Sequence, residues 1–340
     1  MLGQDIGIDL GTSSVLIYTK ERGIIAKEPA VVAVDKDTNR LITVGRDAQK
    51  MLGRTPGNII AARPLKEGVI SDYTVTERML KYFMQRVTQK GVFSSIFKPR
   101  VIISVPSRIT EVEERAVIDA GLSAGARKVC LIEEPLAAAL GAGIDLTQPR
   151  GSLVVDMGGG TSDIAVVSLG GIVISKSIKT AGDNFDESII RYIRKKYNIL
   201  IGERTAEELK IKIGCVRKRD KLLAMDIRGR SLISGLPKTL QVTSDEIYDA
   251  IYESAMNIVE EIKNVLEETP PELMGDISAN GIVLTGGCAY IYGIDKMIQT
   301  ETGIKTIIAQ EPEECVIYGI GKAMENNDIL NSYNKADSRD

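Results

Sequence analysis

One pattern occurs twice in this chain of 340 residues and constrains its fold more than any other feature. An apolar segment ends in Asp9 and is followed by Gly11-Thr12-Ser13-Ser14 and a second apolar segment. The same order of residue types recurs around Asp156 and Gly158-Gly159-Gly160-Thr161. The two aspartates are 156 − 9 = 147 positions apart, close to half the chain. A repeat of this length predicts two similar α/β halves, each beginning with a strand–turn–strand unit.

The absence of histidine limits the chemistry open to the chain. It excludes a Ser-His-Asp triad, a Cys-His pair and any histidine metal site. Carboxylates, lysines, hydroxyls, backbone amides and a bound ion remain. The four cysteines are too widely spaced for a CxxC unit or a disulfide scaffold, which favours a reduced cytoplasmic protein. They are Cys130, Cys215, Cys288 and Cys315.

Charge and hydropathy argue against three further classes of protein: nucleic-acid-binding, secreted and membrane-spanning. The chain has 43 basic and 46 acidic residues, a net charge of −3, so we expect no nucleic-acid partner bound by bulk positive charge. Asp5 and Asp9 interrupt the apolar N-terminus where a signal peptide needs an unbroken apolar stretch. No apolar run approaches the ~18 residues of a membrane span.

Residue periodicity predicts alternating strands and helices. Apolar residues at helical spacing predict helices over 75–89 and 185–197. Thr110 with Glu113, and Thr243 with Glu246, form capping boxes that predict two more helix starts. Apolar runs predict strands, among them Ala30–Val34, Leu41–Val44, Val101–Val105, Val129–Ile132, Ser152–Asp156, Ile164–Val167 and Ile282–Thr285.

The two repeated turns have the composition of phosphate-binding turns. Glycine and threonine in a tight turn present backbone N–H groups in a concave array that suits phosphate. Two aspartates beside a polyphosphate require a cation, so we expect Mg²⁺ at Asp9 and Asp156, held through water. An ordinary tight hairpin is the alternative for either turn alone. P-loop and Rossmann sites are excluded because neither GxxxxGK[ST] nor GxGxxG occurs.

A third glycine turn completes the set: Leu284-Thr285 leads into Gly286-Gly287-Cys288. Together, the three turns resemble the phosphate-1, phosphate-2 and adenosine motifs of the actin, sugar-kinase and heat-shock-chaperone ATPase superfamily. Within it, the chain resembles the bacterial actin homologues of the MreB/Mbl rod shape-determining family from about Asp5 to Glu325. The family segments that carry this resemblance occur in order at Gly53–Asn58, Arg63–Ile70, Ile132–Pro135, Ile201–Glu207, Ile227–Arg230 and Thr269–Leu273.

The resemblance implies an α/β, actin-like ATPase fold of two duplicated domains that face each other across a nucleotide cleft, each with a smaller subdomain. We expect the last ten residues to form a disordered polar tail. The implied boundaries are domain I at 1–145 with a small subdomain at about 33–65, a segment at about 315–330 that returns to domain I, domain II at 146–314 with a small subdomain at about 183–243, and the tail at 331–340.

The resemblance also implies residue roles, carried over by position. Glu134 corresponds to the residue at the hydrolysis site, and Glu133 is less suited because adjacent residues at a strand end point in opposite directions. Asp156, Thr161 and Asp163 complete the implied catalytic set. The implied nucleotide-binding residues are Gly11, Thr12, Ser13, Ser14, Gly158, Gly159, Gly160, Gly182, Asp183, Glu207, Lys210, Gly286, Gly287 and Cys288.

The implied function is an ATP-dependent, slowly hydrolysing filament protein with Mg²⁺ as cofactor. It would lie in the cytoplasm at the inner face of the cell membrane, assemble with itself and contact membrane proteins of cell-wall elongation to set rod shape. A sugar or metabolite kinase and a chaperone-type ATPase of the same superfamily are the alternatives, and GTP is the alternative nucleotide.

One segment is suited to a membrane surface. Ile96 and Phe97 precede Lys98 and Arg100, and apolar side chains beside basic ones favour an anionic bilayer. We expect the apolar pair to insert and the basic pair to meet lipid phosphates. The alternative is that these apolar side chains pack beneath the loop.

Two departures from the family pattern are visible. Cys288 stands where the adenosine turn usually has a third glycine, and it is expected either to lower nucleotide affinity or to expose a reactive thiol. The run Cys315–Gly321 is bulkier than the family's small-residue version, which bears on how the two halves are connected.

Overall fold

The structure, a computed structural model, describes residues 5–88 and 98–325. The chain divides into two compact units. Unit 1 comprises Met1–Pro149, Val167–Ser175 and Glu314–Asp340, and unit 2 comprises Arg150–Val166 and Lys176–Glu313. Ile96, Phe97 and the predicted tail at 331–340 lie outside the described residues.

Strands and helices alternate through the first half of the chain. In order they are β1 (Asp5–Leu10), β2 (Ser14–Thr19), β3 (Gly23–Pro29), β4 (Val32–Asp35), β5 (Leu41–Val44), α1 (Arg46–Gln49), β6 (Ile59–Ala62), β7 (Leu65–Lys66), β8 (Val69–Ile70), α2 (Tyr73–Thr88), β9 (Arg100–Val105), α3 (Glu111–Ser123), β10 (Lys128–Glu133) and α4 (Glu134–Gly141).

The second half begins again with a strand–turn–strand unit. Its elements are β11 (Ser152–Met157), β12 (Ser162–Ser168), β13 (Gly171–Ile178), α5 (Gly182–Tyr197), β14 (Ile199–Leu200), α6 (Glu203–Ile213), β15 (Ala224–Ser231), β16 (Pro237–Thr243), α7 (Ser244–Glu268), α8 (Pro271–Asn280), β17 (Ile282–Thr285), a 3₁₀ helix (Gly287–Tyr290), α9 (Ile294–Thr302), β18 (Thr306–Ile308), a second 3₁₀ helix (Pro312–Glu314) and α10 (Cys315–Glu325).

Two five-stranded sheets share one strand order, which confirms the duplication. One sheet runs β3-β2-β1-β9-β10 and the other β13-β12-β11-β17-β18. In the first, β1 pairs antiparallel with β2 and parallel with β9. In the second, β11 pairs parallel with β17, and β17 with β18. The strand that carries each repeated aspartate, Asp9 on β1 and Asp156 on β11, is therefore the central strand of its sheet.

Both capping boxes form as predicted, at the starts of α3 and α7. Two other helices begin earlier than the apolar periodicity indicates. The Asp72 carboxylate accepts from the Val75 N–H, so α2 begins at Tyr73. The Asn184 side chain accepts from the Ala181 N–H, so α5 begins at Gly182 rather than near Phe185. In both cases a polar side chain satisfies an N–H that the helix itself cannot bond.

Helices α4 and α10 of unit 1 approach until backbone meets backbone. A Cβ added at Gly319 would lie 1.7 Å from the Ala137 carbonyl oxygen, and one added at Gly141 would lie 1.7 Å from that of Cys315. No side chain fits at either position, because such distances are far inside van der Waals contact. The bulky residues of the Cys315–Gly321 run lie in the core around this contact, since Cys315, Val316, Ile317 and Ile320 are all buried.

The same helix packs against the first hairpin of the chain. Gly7 on β1 leaves room for the side chains of Ile320 and Met324, and Gly321 leaves room for the Tyr18 ring. Helix α10 therefore packs on β1, the strand that carries Asp9. Within the described ranges, no helix is both long and apolar enough to cross a bilayer.

We predict that Gly319→Ala lowers the stability of the chain by about 3 kcal/mol, the upper end of the usual cost of overpacking, because its Cβ would meet a carbonyl group that cannot move aside. Gly275→Ala is the matched control. Gly275 lies in α8 with open space around it, so alanine there raises stability by about 0.5–1 kcal/mol. Urea unfolding of the full chain measures both, and an unchanged midpoint for Gly319→Ala would contradict the close contact.

Candidate functional site

Asp9 is held at the carboxyl end of β1 by a hydroxyl from the neighbouring parallel strand. The Ser104 hydroxyl, on β9, donates to Asp9 Oδ1 at 2.9 Å and accepts from the Leu10 N–H. Removal of the carboxylate from water raises the pKa of Asp9 to about 6, and the Ser104 hydrogen bond opposes that rise. A carboxylate in this state is stabilised by a nearby cation.

The first repeated turn is fixed by backbone and side-chain bonds. The Gly11 N–H donates to the Ser14 carbonyl at 3.1 Å, which closes the turn. The Thr12 hydroxyl accepts from the Gly68 N–H at 2.9 Å, and the Ser13 hydroxyl accepts from Arg63 at 3.4 Å. The turn therefore has one conformation, set by segments more than 45 residues away, which suits it to grip a ligand without reorganising.

Glu134 lies at the same edge of the sheet as Asp9. Strands β1, β9 and β10 are parallel, with Ser104 opposite Ile132, so their carboxyl ends meet at one edge. Glu134 is the first residue of α4 and is 8% exposed. Glu133 is the residue before the helix and is more exposed. Burial next to a helix N-terminus favours Glu134 as the functional carboxylate.

The second turn repeats this arrangement in unit 2. The Gly158 N–H donates to the Thr161 carbonyl at 2.9 Å. The Thr285 hydroxyl, on the adjacent parallel strand β17, donates to Asp156 Oδ1 at 2.7 Å. Asp156 thus has the same type of partner as Asp9. Thr161 and Asp163 are both buried, Asp163 completely.

The start of α5 is bonded to the second turn. The Gly182 N–H donates to the Gly158 carbonyl at 3.2 Å, and the Asp183 N–H donates to the Gly159 carbonyl at 2.8 Å. A Cβ at Gly182 would come within 3.3 Å of the Gly158 carbonyl oxygen. A Cβ at this distance would be a tight contact, and the two backbone bonds bring the predicted Gly182-Asp183 pair and the second turn together.

Lys210 also reaches this group. Its ammonium donates to the Gly182 carbonyl at 2.9 Å and to Asp186 at 2.7 Å. Burial raises the pKa of Asp186 to about 7, which Lys210 opposes and Glu207 reinforces. Lys210 therefore joins α6 to α5 through Asp186 rather than forming a surface pair with Glu207.

The third turn packs directly on the second. Gly286 has a φ of 80°, and a Cβ there would lie 2.3 Å from the Met157 carbonyl oxygen. Gly287, by contrast, has open space where a side chain would be. The Cys288 thiol donates to the Gly158 carbonyl at 3.2 Å and is 6% exposed. The second turn, the third turn and the start of α5, all in unit 2, thus form one bonded cluster.

Of the two alternatives for Cys288, the structure disfavours an exposed reactive thiol, because the side chain is buried and burial raises the pKa of the thiol to about 11. Arg100, expected to meet lipid phosphates, has a protein partner: its guanidinium pairs with Asp5 at 2.5 Å, with both side chains partly buried. Lys98, two residues before β9, is exposed.

Three residues that hold the predicted site residues in place were not themselves predicted. Ser104 and Thr285 orient the two aspartates, and Asp186 binds Lys210. A hydroxyl near the end of a parallel strand was the available signal for the first two. No group of three or more His, Cys, Asp or Glu capable of holding a metal occurs in the part of the chain that the structure describes. This donor set of single carboxylates fits Mg²⁺, which keeps most of its waters.

An α/β chain with two sheets of identical strand order, each carrying an Asp-Gly turn at the end of its central strand, has the actin-like fold. The crystal structure of MreB5 of Spiroplasma citri bound to ADP has this fold at a TM-score of 0.91 and 40% identity, covering 98% of this chain and 99% of that one. Its AMPPNP-bound form matches at 0.91 and 39%. The MamK double helical filament, at 21% identity and a TM-score of 0.80, shares the fold.

Sequence comparison assigns the family. The chain matches the family described as MreB/Mbl protein over residues 3–332. It is 51% identical over 330 residues to the cell shape-determining protein Mbl of Bacillus cereus, covering 97% of this chain and 98% of that protein. It is 46% identical over 333 residues to the cell shape-determining protein MreB of Escherichia coli K12, covering 97% and 95%. The chain belongs to the MreB/Mbl family.

We predict that Cys288 resists alkylation in the folded protein, because its thiol is buried, bonded to Gly158 and un-ionised near neutral pH. The other three cysteines are buried as well. Titration with dithionitrobenzoate should therefore detect almost no thiol in the native chain and four thiols in guanidinium chloride. Peptide mass mapping identifies any site that reacts. Fast modification of Cys288 in the native protein would contradict its placement.

Proposed function

We propose that this chain is an ATP-dependent actin-like filament protein with slow, Mg²⁺-dependent ATPase activity. The observation that supports it most is the matched pair of Asp-Gly turns, each with its aspartate bonded to a hydroxyl on the next strand. Relatives with the same fold have been solved with ADP and with AMPPNP bound, which supports an adenine nucleotide.

The residues that the resemblance implies are proposed to hold the nucleotide and its ion. The turns Gly11–Ser14 and Gly158–Thr161 are proposed to bind phosphate oxygens through backbone N–H groups other than those of Gly11 and Gly158, which close the turns. Asp9 and Asp156 are proposed to bind Mg²⁺ through water, and the ion would offset the negative charge of the phosphates. The open space at Gly287 and the neighbouring Lys210 suit the adenosine end.

Glu134 is proposed to act on the attacking water. A buried carboxylate accepts a proton from water while aligning its oxygen with the γ-phosphorus, which is where acid–base catalysis contributes to phosphoryl transfer. Thr161 and Asp163, both buried beside the second turn, are proposed to support the same centre.

Filament formation and membrane attachment complete the proposal. MamK, which shares this fold, has been solved as a double helical filament, and the MreB and Mbl relatives are named cell shape-determining proteins; both support self-association and a role in cell shape. We propose that this chain polymerises in the cytoplasm at the inner face of the cell membrane. There it would organise cell-wall synthesis together with membrane proteins, with Ile96 and Phe97 inserted into the bilayer.

Nucleotide-dependent sedimentation tests this proposal. The wild-type chain should pellet at high speed with Mg-ATP and stay in the supernatant with EDTA, and parallel samples with GTP decide the nucleotide.

Asp156→Ala should abolish Mg²⁺-dependent hydrolysis, because it removes one of the two proposed ion-binding carboxylates. Asp249→Ala, an exposed aspartate on α7, is the control. Normal turnover by Asp156→Ala would refute the ion site, and failure of the wild type to pellet would refute the filament.

A second pair of variants tests the catalytic carboxylate. Glu134→Gln should retain nucleotide but lower single-turnover hydrolysis by ~10²-fold or more, the usual contribution of a positioned acid–base group. Glu133→Gln, its chain neighbour, should hydrolyse at close to the wild-type rate. Fluorescent-nucleotide binding and phosphate release measure the two properties separately. If Glu134→Gln loses nucleotide but hydrolyses normally once saturated, Glu134 is a binding residue.

A further inference from the structure

A basic groove opens on the surface of unit 1, away from the residues assigned above. It has a volume of about 700 Å³ and lies between the turn that follows β4 and one face of α2. Of its eight lining residues, three are cationic and none is anionic. The lining residues are Thr38, Asn39, Arg40, Leu41, Arg78, Lys81, Tyr82 and Gln85.

The turn on one side of the groove is held in a single conformation. The Asp35 carboxylate accepts from the Thr38 N–H and from the Thr38 hydroxyl, each at 2.8 Å. Asn39 adopts a left-handed conformation with a φ of 55°. The Arg78 guanidinium then bonds to the carbonyl and the side chain of Asn39, which fixes the turn against α2. The groove is therefore formed before any ligand arrives.

The helix on the other side presents a continuous polar face. Arg78, Lys81, Tyr82 and Gln85 follow one another at intervals of three, one and three residues, which places them on one side of α2. Arg78 is engaged with the turn. Lys81 and Arg40 are exposed and make no ion pair within residues 5–88 and 98–325, so two positive charges face the groove without a protein counterion.

Two unneutralised cations over a preformed groove with apolar surface from Leu41 and Tyr82 match an anion that carries an apolar part. Just beyond the groove, the Arg86 guanidinium lies 5.6 Å from the centre of the Tyr82 ring, which extends the positive surface along α2. A small inorganic anion would leave the apolar part of this lining uncovered, whereas a phospholipid offers its phosphate to the cations and its glycerol and first acyl carbons to Leu41 and Tyr82.

We propose that this groove binds the phosphate-bearing headgroups of anionic phospholipids. The proposal rests on the membrane association included in the proposed function, and it adds a site for which no role was assigned. Lysine and arginine side chains at an anionic bilayer surface are each attracted to the lipid phosphates, so Arg40 and Lys81 together favour such a surface.

Vesicle flotation with a charge-matched pair of variants tests the groove. Arg40→Gln with Lys81→Gln removes both unpaired cations and leaves Arg78 to hold the turn. Arg194→Gln with Lys195→Gln removes two exposed charges from α5 and is the control for net charge. Against phosphatidylglycerol vesicles, the groove variant should bind about tenfold or more weakly than the wild type, while the control stays close to it. Pelleting with Mg-ATP should be the same for all three.

The outcomes separate the groove from the proposed function. If the groove variant and the control both bind vesicles as well as the wild type does, the assignment of the groove to lipid is overturned and the membrane association stands. A wild type that binds no phosphatidylglycerol vesicles overturns both the groove and the membrane association. Equal losses in the groove variant and the control overturn the groove in favour of diffuse net charge.

Two further arms identify the ligand. Ile96→Ser with Phe97→Ser should weaken binding to phosphatidylglycerol vesicles, and adding the groove substitutions should weaken it further. Calorimetry with inorganic phosphate should detect no binding that depends on Arg40 and Lys81. Phosphate binding that the groove variant loses would overturn the lipid assignment and identify a site for a soluble anion. Equal binding of wild type to phosphatidylcholine and phosphatidylglycerol would overturn it as well.

Discussion

The contact between α4 and α10 fixes the architecture of unit 1. Backbone meets backbone at Gly141 and Gly319, and α10 rests on the first hairpin through Gly7 and Gly321. The helix that begins with Glu134 and the strand that ends in Asp9 are thereby held by one element from the far end of the chain. The edge of the sheet that carries both carboxylates keeps its shape only while these glycines allow the helices to approach.

The same solution for holding a carboxylate occurs twice. A hydroxyl on the adjacent parallel strand bonds the aspartate at the end of the central strand, through Ser104 in one sheet and Thr285 in the other. Each bond fixes the direction of the carboxylate. If the ion and phosphates bind there as proposed, this orientation lowers the cost of assembling them, because less freedom is lost on binding.

The duplication and the turns could be predicted from the residues because their signals are short: an apolar run, an aspartate and consecutive glycines. The actin-like fold was predicted from the resemblance that these turns and the family segments carry. Contacts between distant segments were not predictable. Ser104 is 95 residues from Asp9, and the ends of the groove, Asn39 and Arg78, are 39 residues apart. Two helices start two and three residues earlier than predicted for another reason: the side chains of Asp72 and Asn184 supply local caps that apolar periodicity does not detect.

The Gly158 carbonyl accepts from both the Gly182 N–H and the Cys288 thiol. Both lone pairs of one oxygen are thereby engaged, and each donor comes from a different segment. Rotation of this single peptide would break both hydrogen bonds at once, so a peptide flip in the second turn is energetically unfavourable. If the second turn binds phosphate as proposed, a displacement of the turn on phosphate loss is transmitted through these two bonds to the start of α5 and to the 3₁₀ helix at Gly287–Tyr290.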